Sequence, residues 1–201
     1  MENTERDRGS LAELSNGLAG VVEKISPSVV RVNGRRPSSG VIYAPGMVLT
    51  VGHGLGHEDD LSVVSHDGQI LEARLVGHDP STHLAVLRAE GLTEAASPAE
   101  GEPRPGQLAL AVGRSSRDGG IRTTLGIVSA AAGPLRAWRG VRMERVIVTD
   151  AAPYRGFSGG PLVDVSGNVL GILTAGWSRG ATTLAIPADI AWRAAGTSTS
   201  C

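Results

Sequence analysis

The sequence predicts an all-β protein of two six-stranded antiparallel β-barrels with short helices at both ends. Glycine is the first sign: 28 of 201 residues, roughly twice the usual share, as suits many short strands joined by tight turns. The second is a double series of short apolar runs punctuated by turn dipeptides. The third is a stretch rich in Pro, Gly and Glu, residues 91–106, that divides the two series.

Residues 1–9 are polar and read as a disordered tail. Ser10 and Glu13 form a capping box, and Leu11, Leu14, Leu18, Val21, Val22 and Ile25 recur at helical spacing, so a helix is expected within 10–26, ending before Pro27. The first barrel, 27–90, contains runs at 29–32, 40–44, 47–50, 61–64, 70–76 and 84–87. Asn-Gly at 33–34, Pro-Gly at 45–46 and Asp-Gly at 67–68 separate several of them, which favours antiparallel pairing. The second barrel, 107–187, contains runs at 107–112, 121–130, 141–149, 161–165, 169–175 and 182–186. Residues 188–195 then read as a helix that leads into a polar tail ending at 201.

Composition narrows the function. A net charge of −1, scattered arginines and 3% aromatic residues give no support for nucleic-acid binding. The single cysteine, Cys201, excludes an internal disulfide framework and thiol or Cys-metal chemistry. No signal peptide or membrane span is visible, so the expected location is cytoplasmic, or extracytoplasmic if a leader has been trimmed away.

The most informative stretch is Gly156-Phe157-Ser158-Gly159-Gly160-Pro161. A hydroxyl that attacks a carbonyl needs a base for its proton and N–H donors for the oxygen that becomes negative. Glycines around Ser158 leave the backbone bare enough for both. A glycine-rich turn with an incidental serine is the plain alternative. The residues also fit G-x-S-x-G, but that elbow requires a following helix and a later histidine. Here two short strands follow, and all five histidines precede Ser158. His before Ser is the chymotrypsin order. In Val48-Leu49-Thr50-Val51-Gly52-His53, a histidine directly follows a buried strand, although a lone histidine is more often a surface residue.

These stretches resemble the trypsin-fold serine proteases of the HtrA/DegP type. Leu49-Thr50-Val51-Gly52-His53 resembles the family's histidine motif, and Thr149-Asp150-Ala151 with Gly156 to Leu162 resembles its nucleophile motif. Pro27 to Val32, Ser39 to Ile42, Asp79 to Leu87, Gly171 to Ala175 and Ala185 to Pro187 extend the match. The resemblance implies a serine endopeptidase acting on polypeptides without cofactor or metal. It implies His53 as general base, Ser158 as nucleophile, and the N–H groups of Gly156 and Ser158 as oxyanion donors. It also suggests a homo-oligomer, a trimer through the N-terminal segment, and a PDZ domain after the protease; with about fourteen residues after Pro187, that domain is expected to be absent here.

One member does not carry over. The family's aspartate position, immediately before Leu84-Ala85-Val86-Leu87, holds His83. Three readings stay open: His83 as an atypical third member, Asp79 reaching in instead, or a degenerate site that binds peptides without cutting them. Phe157 is expected to put a ring near the cleft. Leu184 lines a specificity pocket for small or medium apolar side chains, or is simply core. Asp150 is expected to make a structural hydrogen bond, and His66 and His78 to be exposed at turns. His53 and His57 are four apart, but the two glycines between them argue against a shared metal.

Overall fold

The computed structural model describes residues 2–56, 61–136, 142–174 and 182–198. Helix α1 (Glu2–Ile25) leads through a 3-10 turn at Ser26–Ser28 into the first β unit. That unit comprises β1 (Val29–Asn33), β2 (Ser38–Ala44), β3 (Met47–Val51), β4 (Ser62–Val64), β5 (Ile70–Glu72), β6 (Arg74–Asp79) and β7 (Leu84–Arg88). The second comprises β8 (Leu108–Arg114), β9 (Ile121–Ala132), a ribbon of β10 (Leu135–Arg136) and β11 (Arg142–Met143), β12 (Val146–Thr149), β13 (Pro161–Val163), β14 (Val169–Thr174) and β15 (Thr183–Pro187), followed by α2 (Ala188–Ser198).

The mostly β, two-unit architecture expected from the sequence is present, with a difference between the halves. The second unit closes as a six-stranded barrel in the order β12-β15-β14-β13-β8-β9. The first is a curled seven-stranded sheet, β5-β4-β1-β2-β3-β7-β6. Its seventh strand arises because the run expected at 70–76 breaks at Ala73, which is buried and donates its N–H to Leu61 O at 3.0 Å. The chain therefore passes from one edge of the sheet, β5, directly to the other, β6, curling it without a closing ladder. Helix α1 also begins at Glu2 instead of Ser10, so residues 2–9, read as a disordered tail, continue the helix; no proline interrupts them.

Alternation places apolar residues on both faces of the central strands. On β7, Ala85 and Leu87 fill the interior of the first sheet with Val30, Val32, Ile42 and Val48. Leu84 and Val86 point the other way, into a cluster shared by both units that includes Val41, Leu49, Val112, Val163, Ile172 and Ile186. Val21 and Ile25 of α1 and Ala188, Ala191 and Ala195 of α2 pack onto that shared cluster. The far half of α1 stays exposed at Leu11 and Leu14.

The connector at 91–106 straps the units together. Leu92 O accepts from Gly46 N and Ala96 N donates to Ile42 O, both at 2.8 Å, while Ala99 N donates to Val169 O at 2.8 Å. Inside the closed barrel, Phe157, Leu162, Leu173, Ala111 and Ile147 form a third cluster. Leu162→Ala opens a cavity there; we expect a loss of about 2–5 kcal/mol in urea unfolding, with a secondary-structure spectrum unchanged below the transition.

Candidate active site

Strand β3 delivers His53. It ends at Val51, and a 3-10 turn at Gly52–Gly54 follows. The turn is tied on both sides: Gly52 N donates to His83 O (2.8 Å), while Gly54 O and Leu55 O accept from Arg36 N (3.0 Å) and Arg35 N (3.1 Å). Leu55 is buried and anchors the exit. His53 is thus held on a short arc between fixed points, with part of its ring open to solvent.

The register of β3 and β7, with Val51 opposite Leu84, puts His83 at the same end of the sheet. His83 adopts φ +57°, the only positive φ among the described non-glycine residues. Histidine, asparagine and aspartate enter this left-handed region more readily than most residues. The two imidazoles interact electrostatically. Burial lowers the pKa of His53 from its usual value, and the positive charges of His83 and Arg36 lower it further.

Asp79 is committed to its own turn. Its Oδ1 accepts from Ser81 N (2.9 Å) and Ser81 Oγ (2.8 Å), and its Oδ2 from Thr82 Oγ1 (2.7 Å). Burial works against the charge, but these bonds and the nearby His78 outweigh it and hold the carboxyl below the ordinary range.

The loop between β12 and β13 carries Ser158 and is pinned by backbone bonds, among them Leu173 N to Gly160 O at 2.8 Å. Phe157 N donates to Tyr154 O (3.1 Å), Gly160 N to Phe157 O (2.8 Å), Gly159 N to Leu173 O (2.8 Å), and Ser158 O accepts from Ser39 N (2.8 Å). The bond from Ser39 N to Ser158 O crosses between the units, joining the Ser158 loop to β2, the strand beside β3. Gly156 (φ +97°) and Gly159 (φ +84°) supply positive φ. A Cβ at 156 would lie 2.7 Å from Arg114 O, and one at 159 would run into Ser39 O. Glycine is required here by contact as well as by conformation.

Several expectations meet the structure at this point. Phe157 is fully buried, its ring edge-on to Tyr154 at 5.5 Å between centroids. It is a barrel-core residue and presents no ring to the cleft. The space it fills is opened by Gly113, whose missing Cβ would lie 2.6 Å from Phe157 Cδ1. Asp150 Oδ1 accepts from Ile127 N at 2.7 Å, a structural bond that ties the loop's entry to β9. Leu184 is buried yet belongs to none of the three core clusters. His66 is exposed. His57, Glu58, Asp59, Asp60 and Ala175 lie outside the described residues. Among the described residues, no group of three His, Cys, Asp or Glu side chains converges as a metal site.

Sequence reasoning missed His78. It is exposed, on β6 instead of at a turn, with its ring over Gly52 (2.5 Å from where a Cβ would stand) and 6.2 Å from the His83 ring. The glycine before His53 was the available signal: it makes room for that ring.

Residues 38–172 match the family model described as a trypsin-like peptidase domain. The chain belongs to this family. Its relatives are of the HtrA type. A probable periplasmic serine endoprotease, DegP-like, from Brucella suis is 39% identical over 144 residues, covering 67% of this chain and 26% of the relative. The serine endoprotease DegS of Haemophilus influenzae is 36% identical over 162 residues, covering 76% and 47%. A structure titled HtrA-type protease AlgW with tripeptide superposes with a TM-score of 0.78 at 33% identity, covering 91% of this chain and 64% of that one. The chain therefore spans about a quarter to a half of the length of these two curated relatives. No helix among the described residues is long and apolar enough to cross a membrane.

The Asp79 turn in this HtrA-type domain makes a pH prediction. A carboxyl held below its unfolded value contributes stability that is present above that value, near 3.9, and is lost as pH falls through the folded value. Asp79→Asn removes this linkage. We expect the gap between the parent and variant thermal midpoints to be widest above about pH 5 and to close below pH ~4.

Proposed function

We propose that this chain hydrolyses peptide bonds through an acyl-enzyme on Ser158, with His53 as general base and His83 as an atypical third member. The observation that carries this reading is the bond between Ser39 N and Ser158 O at 2.8 Å. It joins the serine's loop to the strand pair β2–β3, and β3 ends in the turn that holds His53. Membership of a family whose relatives are serine endoproteases supports the same reaction class.

The chemistry follows from the roles. His53 takes the proton from Ser158 Oγ as that oxygen bonds to the scissile carbonyl carbon, and the N–H groups of Gly156 and Ser158 face the oxygen that becomes negative. His53 returns the proton to the leaving amine, and water repeats the sequence to release the acid. Among the described residues the Gly156 N–H has no acceptor of its own, which suits this use. His83 stands beside the base but supplies no negative charge. Loss of the acid in related triads costs about 10⁴ in kcat.

That deficit, together with the commitment of Asp79 to Ser81 and Thr82, favours a second reading: a peptide-binding module on the same fold that cuts poorly or not at all. A fluorophosphonate probe with unfolded casein separates the two. The protease reading expects labelling and cleavage, both abolished in Ser158→Ala. Peptide binding without labelling supports the module. The periplasmic description of the Brucella relative supports an extracytoplasmic setting over a cytoplasmic one.

The lowered pKa of His53 has a kinetic sign. The base form survives to lower pH, so the acid limb of kcat/KM falls below the usual histidine value near 6.5. His83→Asp replaces a positive neighbour with a negative one. We expect the limb to move up in pH and kcat to rise on the order of 10²-fold or more. An unchanged rate and limb would mean that an acid does not act from this position.

A further inference from the structure

Ser39 touches no reacting atom, yet all its polar atoms are used at this site. It is fully buried on β2. Its N–H donates to Ser158 O at 2.8 Å, and its carbonyl accepts from Thr50 Oγ1 at 2.7 Å. Its hydroxyl accepts from Arg114 N at 2.8 Å and donates to Gly156 O at 2.6 Å. The direction of that hydroxyl proton is forced, because a backbone N–H only donates and a carbonyl only accepts.

The consequence falls on two peptide planes. The plane joining 156 and 157 is held at its carbonyl by Ser39 Oγ and at its N–H by Tyr154 O. The plane joining 158 and 159 is held at its carbonyl by Ser39 N and at its N–H by Leu173 O. One residue of the first unit thus fixes the carbonyls of both Gly156 and Ser158, the two residues whose N–H groups serve as oxyanion donors in the proposed reaction. Gly156 needs such a restraint, since a glycine at φ +97° has little intrinsic preference for one rotation of its flanking planes.

We infer that the Ser39 hydroxyl is a positioning group for the oxyanion site, holding Gly156 through its carbonyl so that its N–H points where negative charge develops. The restraint reaches further. Arg114 is buried, and its guanidinium donates to Val29 O and Ser26 O, both at 2.9 Å, at the end of α1. The same hydroxyl that orients Gly156 is therefore seated by the residue that clamps the helix junction. This inference rests on the protease reading and deepens it.

The test uses the full chain and the peptide Ala-Ala-Pro-Val in three forms: a p-nitroanilide substrate, an aldehyde that Ser158 adds to as a tetrahedral adduct, and the free acid product. Ser39→Ala removes the hydroxyl and adds no bulk. We expect kcat for the anilide to fall by about 10- to 100-fold, a fraction of what loss of a whole oxyanion donor costs, with KM within about twofold. The aldehyde should weaken by the same factor while the free acid binds as before. Ser39→Thr, which keeps the hydroxyl, should recover most of the loss. A merely structural role lowers the amount of folded protein but leaves the aldehyde-to-acid affinity ratio alone. A parent-like ratio in Ser39→Ala, or equal loss in both variants, overturns the role of Ser39 while leaving the protease reading standing. If the unsubstituted chain neither cleaves the anilide nor takes up fluorophosphonate, both fall together.

Discussion

The proposed reaction, with its groups shared between two β units, requires that the units meet in one register and no other. Here that requirement is met by the buried contact of β2 with the loop 156–160. Hydrogen bonds alone do not make such a contact specific; the backbones must first come close enough to form them. Three absent side chains allow it. Gly159 lies against Ser39 O across the units, while Gly156 against Arg114 O and Gly160 against Val112 O let the loop settle onto β8 of its own unit, each at a spacing that leaves no room for a Cβ. Once the water is excluded, every donor and acceptor in the contact has to find a protein partner, because an unpaired buried group costs about 1–3 kcal/mol. A small displacement of the loop would break several bonds at once, and this gives the docking its uniqueness.

The packing around this contact serves the same end. The cluster between the units draws on β2, β3 and β7 from one side and β8, β13, β14 and β15 from the other, and both helices close over it. Its area supplies affinity without direction, since burial of apolar surface is not directional. Arg114 adds direction at its margin. A desolvated guanidinium with no carboxylate ion-paired to it among the described residues is tolerated because backbone carbonyls from Ser26, Val29 and Gly119 accept from it. It therefore ties the end of α1, the start of β1 and the turn after β8 to one point. The neighbouring N–H of the same residue seats the Ser39 hydroxyl.

Local chemistry was legible in the sequence where the structure obeys local rules. The β runs, the helix ending near Pro27 and the structural use of Asp150 all follow from periodicity, turn residues or motif spacing. What failed depended on long-range contacts. Ala73 breaks a run that reads as one strand, because its N–H is taken by Leu61, twelve positions away. Phe157 was assigned to the cleft from its place beside Ser158, but adjacent residues on a tight loop point apart, and Gly113 on β8 opens the space that takes the ring inward. Ser39 entered only as part of the matched stretch Ser39 to Ile42, and nothing local shows that its hydrogen bonds reach residues up to 119 positions away.

Position 83, the third member in the proposed reaction, can change its chemistry while the fold stays put. The backbone there turns at φ +57° into β7 and gives its carbonyl to Gly52 N. Neither feature involves the imidazole, and both suit histidine or aspartate about equally. The scaffold thus constrains this position to a short class of residues and leaves the sign of the charge free. With aspartate the base would be strengthened and protonated more readily. With histidine the like charge weakens it and keeps it unprotonated at lower pH. In the proposed reaction, base strength would be exchanged for a wider acidic range through one side chain, while the backbone bond from Gly52 N to His83 O stays in place.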